Sequence, residues 1–242
     1  MILPKRGAKT LFEEYELIGN RKRSGAPKRQ EFNLQYVRPL TDNQARVLGS
    51  DKCQVLVGYA GTGKTFLASY LAYKRILEDG DFDKVVYMRS AVSTRNIGFL
   101  PGNDKEKVAV YEAPYEDTAK KLLGRGDAYE ILKAKGVVHF TSTSFIRGIN
   151  LDNTILIVDE CQNMTYHELD SIITRLEENC LVFFCGDMRQ ADLPNNGIAD
   201  FFKVLRSMDQ FQFTEFQKED IVRSQLVKDY IIKKEEVLGR LS

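Results

Sequence analysis

The sequence lacks the residue patterns that build zinc sites and disulfide scaffolds. It has two histidines and four cysteines among 242 residues, and no two cysteines have the C-x-x-C spacing common in zinc sites. Three of the cysteines lie in or beside apolar runs, where a free thiol behaves as a small hydrophobic side chain. We therefore expect buried, reduced thiols, which are typical of a reducing cytosol.

Long apolar runs and a large net charge are also missing. No segment approaches the roughly 20 apolar residues that span a bilayer. The N-terminal sequence MILPKRGAKTLF has no uninterrupted apolar stretch of the kind found in signal peptides. The formal net charge is +1, so global charge does not attract the chain to nucleic acid or to a membrane. These absences predict a cytoplasmic protein, and the length suits one large domain.

The charge that is present is distributed unevenly. Residues 1–40 contain nine Lys or Arg and four Glu. We predict a basic N-terminal arm over residues 1–35 and one domain, ending in a helix, over residues 36–242. The arm either contacts a nucleic-acid backbone or is a solvated run of charge. Its clustered basic residues are Arg21, Lys22, Arg23, Lys28 and Arg29.

Apolar runs of strand length alternate with helical patterns from about residue 40 onwards. Because the runs are continuously apolar, they predict an α/β fold with a mainly parallel sheet flanked by helices. Apolar residues recur at helical spacing after Gly63, after Thr165 and after Arg223, and the last helix has one apolar face. That face packs either on its own domain or on another subunit. The predicted strands are Gln54–Val57, Val85–Met88, Val137–Phe140, Ile155–Val158, Leu181–Cys185 and Phe211–Phe213.

The segment Gly58–Thr65, GYAGTGKT, matches the phosphate-loop pattern G-x-x-x-x-G-K-[ST]. Its glycines allow the backbone to curl so that several N–H groups point at phosphate oxygens. The helix that follows presents its positive N-terminal end to the same anion. Lys64 is suited to the β- and γ-phosphates, and Thr65 offers a hydroxyl to Mg²⁺. The pattern predicts an ATP-binding loop.

The fourth predicted strand ends in two acids, Asp159 and Glu160. Parallel strands deliver such carboxylates to the ligand edge of a sheet. We predict that Asp159 holds Mg²⁺, directly or through water, and that Glu160 polarises the attacking water. A kinase does not need that water, so Glu160 favours hydrolysis. After the fifth strand, Gln190 is a candidate sensor of the γ-phosphate or of the attacking water, and Asp187 is a candidate to hold its loop.

Several stretches closely resemble the PhoH-like family, whose core is similar to the first RecA-like lobe of superfamily I helicases. They are VLVGYAGTGKT, YMRSAV followed by GFLPGNDKEKV, ILIVDECQNMT, FCGDMRQADLP and DIVRSQLV, in the family's order across about residues 40–230. The resemblance implies that Gln44 reads the adenine edge, that Gln190 senses the γ-phosphate, and that Arg223 can act on a neighbouring subunit's nucleotide. The sequence leaves open whether Arg223 acts in cis or in trans. The chain departs from the family at Ser90, where Pro is common, and at Ser224-Gln225, where His-Pro is common. We expect no fused nuclease domain, so ribonuclease activity is not implied.

The resemblance also implies partners. One RecA-like lobe supplies half of a catalytic cleft, and the residues after the core are too few for a second lobe. We therefore expect a homo-oligomer, a hexameric ring, with an arginine finger supplied in trans. Single-stranded RNA or DNA is expected at the loops after the second and third strands, where it would be remodelled or unwound. A P-loop kinase of a small substrate and a nucleotide-gated binding module with little turnover remain open.

The residues predicted for these roles form four sets. The catalytic set is Glu160, Lys64, Gln190 and Arg223, and the metal set is Thr65 and Asp159. The nucleic-acid set is Arg89, Ser90, Thr141, Ser142 and Thr143. The ATP-binding set is Gln44, Gly58, Tyr59, Ala60, Gly61, Thr62, Gly63, Lys64, Thr65 and Phe66.

Overall fold

A computed structural model describes residues 32–90, 104–149, 151–190 and 197–238. Within these ranges, strands and helices alternate along the chain, as the apolar runs predict. The strands are β1 Cys53–Gly58, β2 Lys84–Arg89, β3 Val138–Ser142, β4 Thr154–Val158, β5 Leu181–Gly186 and β6 Phe211–Phe216. The helices are α1 Asp42–Leu48, α2 Lys64–Tyr73, α3 Asp104–Leu123, α4 Ala128–Ala134, α5 Tyr166–Ile173, α6 Ile198–Arg206 and α7 Gln225–Leu238.

The six strands form one parallel sheet in the order β3-β2-β4-β5-β1-β6. Strand β5 lies between β1, which leads into the phosphate loop, and β4, which leads into the acids. Because all strands are parallel, the residues that follow them meet at the carboxyl edge of the sheet. The predicted fold class, a RecA-like P-loop core, is confirmed, and each of the six predicted strands is present.

Both faces of the sheet are covered. Neighbouring residues of the central strands point to opposite faces, so Leu56 and Ile157 pack in one core with α2, α3 and α4, while Val55 and Leu156 pack in the other with α5 and α6. All four side chains are fully buried. Burial on two faces explains why the central strands β1, β2, β4 and β5 are mainly apolar rather than alternating.

The helix predicted after Thr165 begins with a capping box. Thr165 accepts a hydrogen bond from the backbone N–H of Glu168 at 3.3 Å, and Glu168 in turn accepts from the backbone N–H of Thr165 at 2.9 Å. Such reciprocal bonds satisfy N–H groups that a helix start leaves unpaired. Sequence periodicity did not single out α3, which contains Pro114.

The packed domain includes residues upstream of the predicted boundary at residue 36. Phe32 is buried in the core that contains α3, and the backbone N–H of Gln35 donates to the carbonyl of Leu122 at 2.7 Å. Residues 1–31, with the clustered basic side chains of the predicted arm, lie outside the described residues. None of the described helices is both long and apolar enough to cross a bilayer.

Candidate nucleotide site

The phosphate loop, Gly58–Thr65, joins β1 to α2 at the carboxyl edge of the sheet. Its backbone has positive φ at Gly58 (123°), Gly61 (78°) and Gly63 (90°), a region that other residues seldom adopt. A Cβ on Gly58 would lie 2.1 Å from the carbonyl oxygen of Phe216 in β6. The close approach of β6 therefore requires glycine at position 58 as strongly as the turn does.

Lys64 opens α2 with its ammonium group folded into the loop. Its Nζ donates hydrogen bonds to the carbonyl oxygens of Gly58, at 2.9 Å, and Tyr59, at 2.7 Å. Burial lowers the pKa of Lys64, and the negative charge of Asp187 opposes that shift. The cation and the N-terminal end of α2 lie together, so two sources of positive potential coincide where a phosphate would bind.

Thr65 and Asp159 meet beside this loop. The Thr65 hydroxyl donates to Asp159 Oδ1 at 2.7 Å. The backbone N–H of Asp159 donates to the carbonyl of Met88 in β2 at 2.9 Å, so the ladder between β2 and β4 fixes its main chain. The sheet thus brings the two residues of the predicted metal set into direct contact.

Glu160 follows in the left-handed region, with φ 53° and ψ 42°. This conformation costs a non-glycine residue on the order of 1–3 kcal/mol, and such strain is concentrated at functional sites. Its Oε2 accepts a hydrogen bond from Gln162 Nε2 at 2.6 Å. Its Oε1 lies 3.6 Å from Nη2 of Arg89. Two neighbours therefore hold the carboxylate that is predicted to polarise water.

Asp187 connects the loop after β5 to the rest of the site. Its Oδ2 accepts hydrogen bonds from the backbone N–H of Ala60, at 3.1 Å, and from Gln190 Nε2, at 2.8 Å. Its own N–H donates to Gln162 Oε1 at 3.1 Å. Because Gln162 also contacts Glu160, a continuous series of hydrogen bonds links Glu160 to the phosphate loop. The predicted sensor Gln190 is part of this network.

Tyr59 connects the phosphate loop with α7. The guanidinium carbon of Arg189 lies 3.1 Å from the centre of its ring, in a cation–π contact. Its hydroxyl donates to the carboxylate of Glu235 in α7. A cleft of 440 Å³ lies between Tyr59, residues 217–219 and α7. The C-terminal helix therefore borders the candidate site.

Gln44, the predicted adenine reader, is buried in α1. Its Oε1 accepts from the N–H of Leu40 at 2.9 Å, and its Nε2 donates to the carbonyl of Thr62 at 3.0 Å. An amide side chain has two N–H donors and two acceptor lone pairs, so these bonds are compatible with a further contact to a base edge. Phe66, also in the predicted ATP-binding set, packs against the core.

Arg223 lies on the phosphate loop of its own chain. A Cβ placed on Gly61 would meet Arg223 Cγ at 2.7 Å, and the N–H of Val222 donates to the carbonyl of Gly61 at 3.1 Å. Asn43 Nδ2 donates to Asp220 Oδ2 at 2.8 Å, which ties the segment after β6 to α1. The segment after β6 therefore runs over the phosphate loop of the same chain, and action of Arg223 on a neighbouring subunit's nucleotide stays a prediction.

Most hydroxyls of the predicted nucleic-acid set are directed into the protein. Ser90 is 0% exposed, and Ser142 and Thr143 are also buried. The Thr143 hydroxyl donates to Glu168 Oε1 at 2.5 Å, and Thr141 is half-buried. Ser90, Ser142 and Thr143 are therefore buried among the described residues, and contact between their hydroxyls and phosphates stays a prediction.

Arg89, the cation of that set, points at the acids. Its Nε lies 3.8 Å from Asp159 Oδ2, and its Nη2 lies 3.6 Å from Glu160 Oε1. The guanidinium also lies 6.0 Å from the ring centre of Tyr111 in α3. The end of β2 is therefore joined electrostatically to the end of β4.

The oxygen atoms of Thr65 and Asp159 fit Mg²⁺. This ion prefers oxygen ligands and is commonly held by one or two carboxylates together with substrate phosphates and water. Across the described part of the chain, no group of three or more His, Cys, Asp or Glu side chains could hold a metal ion. When the ion is bound, phosphate oxygens and water would complete its ligands beside Thr65 and Asp159.

A family model described as PhoH-like protein matches residues 36–234. The chain belongs to the PhoH-like family. The PhoH-like protein of Bacillus subtilis (strain 168) is 36% identical over 179 residues, which cover 72% of this chain and 56% of that protein. Protein PhoH of Escherichia coli (strain K12) is 30% identical over 203 residues, which cover 82% of this chain and 55% of the relative. The chain thus spans little more than half the length of these PhoH-like relatives.

Solved structures show weaker similarity to this PhoH-like chain. The large terminase from a thermophilic bacteriophage, in complex with ATP-gamma-S, aligns over 80% of this chain and 49% of its own, with a TM-score of 0.47 and 14% identity. The Phi-28 gp11 DNA packaging motor aligns over 71% and 58%, with a TM-score of 0.40 and 17% identity. Scores this low support no functional conclusion. The fold is assigned from the strand order and parallel pairing of the sheet.

Two residues at the PhoH-like site were not predicted from the sequence. Gln162 lies in the stretch DECQNMT, two residues after Glu160, and that spacing was an available signal. Tyr115 donates from its hydroxyl to Asp159 Oδ2 at 2.8 Å. It lies in α3, seven residues after the stretch GFLPGNDKEKV, and nothing in its spacing pointed to Asp159, so only the structure reveals it.

Proposed function

We propose that this PhoH-like protein binds ATP with Mg²⁺ and hydrolyses it. The observation that carries the proposal is the 2.7 Å hydrogen bond between Thr65 and Asp159. It joins the phosphate loop to the strand end that bears Glu160, so phosphate-binding and water-activating groups share one site. Mg²⁺ bound there would neutralise charge on the phosphate oxygens.

Each group then has a defined task. The loop amides and Lys64 bind the phosphates, and Gln44 contacts the adenine edge. Glu160 orients and polarises the attacking water. Because Gln190 belongs to the same hydrogen-bond network as the phosphate loop, it senses the γ-phosphate.

We assign Arg223 to the nucleotide of its own chain, since its side chain lies against Gly61. An arginine in cis removes the catalytic reason to require a neighbouring subunit. The proposed homo-oligomer, a hexameric ring, then rests on a different observation. Helix α7 carries exposed apolar side chains at Leu226, Tyr230 and Val237, and a second copy would cover them. The molecular mass in solution, with and without ATP, tests the assembly.

We also propose that hydrolysis is coupled to the binding and remodelling, or unwinding, of single-stranded RNA or DNA. Two observations favour this. Arg89 lies 3.8 Å from Asp159 and 3.6 Å from Glu160. A movement of the backbone at the end of β2 would therefore move a positive charge that lies next to both carboxylates. Phe145, in the turn after β3, is 69% exposed, and exposed aromatic rings stack bases. Single strands would lie across these two strand ends.

The decisive measurement is steady-state phosphate release with and without single-stranded RNA or DNA. Glu160→Gln should lower hydrolysis by about 10²–10⁴-fold and remove any stimulation, while ATP affinity persists. Glu177→Gln is the matched control, because Glu177 is an exposed acid before β5, and it should hydrolyse ATP as the wild type does.

Other results would support the alternative functions. Phosphate that appears on a small acceptor rather than in water would indicate a kinase. Tight ATP binding with negligible turnover, with or without single strands, would indicate a nucleotide-gated binding module. Either result contradicts the proposed hydrolysis.

A further inference from the structure

Both oxygens of the Asp159 carboxylate accept a hydrogen bond from a hydroxyl group. Oδ1 accepts from Thr65 at 2.7 Å, and Oδ2 accepts from Tyr115 at 2.8 Å. The two donors lie on different helices, α2 and α3. The carboxylate is therefore fixed in rotation as well as in position, because two bonds from separate elements leave it one orientation.

Tyr115 is itself held rigidly. Its side chain is 1% exposed, and its ring stacks on Tyr87 with centres 4.2 Å apart and planes at 22°. The ring of Phe140 is its second aromatic neighbour, with ring centres 5.9 Å apart. Stacked aromatic pairs of this kind contribute packing energy and restrict ring motion. The hydroxyl position is therefore determined by the core between β2, β3 and α3.

The phenol remains a hydrogen-bond donor at physiological pH. An ordinary tyrosine has a pKa of about 10, so its hydroxyl keeps its proton at neutral pH. Arg89, with its Nε 3.8 Å from the same Oδ2, already supplies positive charge. Tyr115, as a neutral donor, therefore orients the Asp159 carboxylate without adding charge to the site.

We propose that Tyr115 is a positioning residue for magnesium, which orients the Asp159 carboxylate toward the ion held with Thr65. This inference rests on the proposed ATPase function and names a residue of that site. Mg²⁺ demands near-ideal octahedral geometry, so a carboxylate turned out of position loses affinity. Partners that orient a metal's ligands typically change metal affinity or activity by about 10–100-fold when removed.

The test is Tyr115→Phe, which removes the hydroxyl and keeps the ring stack. Binding of a fluorescent ATP analogue is measured with EDTA and across a Mg²⁺ titration. We expect the metal-free affinity to stay within about twofold, because the Tyr115 hydroxyl donates to Asp159, a predicted metal ligand. We expect the half-saturating Mg²⁺ concentration to rise by about 10–100-fold. Loss of a residue with only a structural role would not change the Mg²⁺ requirement while leaving the metal-free affinity intact.

Tyr87→Phe is the matched control. It also removes a buried phenol hydroxyl, one that lies within hydrogen-bonding distance of Ser69 and Tyr73, at 3.0 and 3.3 Å. It should therefore have the Mg²⁺ dependence of the wild type. If Tyr115→Phe does not fold, as judged by thermal unfolding, Tyr115→Met also lacks the hydroxyl and replaces it in the same titration.

Three outcomes are distinguishable. A raised Mg²⁺ requirement in the Tyr115 variant alone supports the inference. A folded variant with the wild-type Mg²⁺ dependence, or an equal shift in Tyr87→Phe, overturns it and leaves the proposed ATPase intact. If Mg²⁺ does not tighten analogue binding even in the wild type, both the inference and the proposed metal-dependent function fail.

Discussion

Two parts of the carboxyl edge of the sheet differ in how they arrange the residues that the sequence predicts to bind ligands. The phosphate side, at the ends of β1, β4 and β5, brings the residues predicted for ATP into mutual contact. The outer side, at the ends of β2 and β3, buries Ser90, Ser142 and Thr143, which were predicted to bind nucleic acid. The difference shows which kinds of site a sequence specifies locally and which kinds depend on tertiary packing.

The phosphate side depends mainly on backbone geometry and strand ends. Its glycines have positive φ at three positions, and Asp159 and Glu160 follow a strand whose apolar residues define where it ends. Glycine spacing and apolar runs are local properties, so the sequence contains enough information to predict them. The start of the helix after Thr165 is also predictable from local sequence, because Thr165 and Glu168 form its capping box.

The outer side depends on which side chains remain exposed, and local sequence does not determine that. Arg89 is as suited to a phosphate as to a carboxylate, and only the pairing of β2 with β4 places it beside Asp159 and Glu160. Tyr115 reaches Asp159 from a helix that apolar periodicity did not identify. Residues that meet through the packing of separate elements have no spacing signal in one sequence.

The largest expected effect tests whether the phosphate side is complete within one chain. Arg223→Ala should reduce hydrolysis by about 10³-fold, the lower end of the range for arginines that neutralise transition-state charge. ATP affinity and solution mass should be unchanged. Arg223→Lys, which keeps the charge but not the planar fork, should recover only part of the activity. Steady-state phosphate release measures both variants.

Mixing experiments separate cis from trans action of Arg223. Each subunit in a mixture of Arg223→Ala and Glu160→Gln protein carries one defect. If Arg223 serves its own chain, as its contact with Gly61 indicates, the mixture stays inactive. Recovered activity would mean that a neighbour supplies the arginine, and the phosphate side would then not be complete in one chain.

A second prediction concerns the backbone basis of the phosphate side. Gly58→Ala should lower the free energy of unfolding by more than about 3 kcal/mol, because a Cβ there would lie 2.1 Å from the carbonyl of Phe216. The control is Gly126→Ala, where a Cβ would have no neighbour within 4 Å and the change should stay within about 1 kcal/mol. Urea unfolding of both variants measures the difference, and equal stabilities would contradict the steric requirement.

The smallest expected effect tests the outer side, where exposure rather than motif identifies the candidate. Phe145 lies in the turn after β3 and is 69% exposed. Stacking of one base on an aromatic ring contributes about 1–3 kcal/mol. Phe145→Ala should therefore weaken binding of a labelled single-stranded oligonucleotide by about 5- to 150-fold, as measured by fluorescence anisotropy.

The control for that prediction is a second exposed aromatic residue outside the strand ends. Tyr36 is 81% exposed and precedes α1, next to the backbone contact between Gln35 and Leu122. Tyr36→Ala should leave oligonucleotide affinity unchanged. Because stacking releases no counterions, Phe145→Ala should weaken binding without changing its salt dependence, whereas loss of a phosphate contact lowers that slope. Equal weakening in both variants, or a reduced salt slope in Phe145→Ala, would show that single strands are held by charge elsewhere and not by a ring at the end of β3.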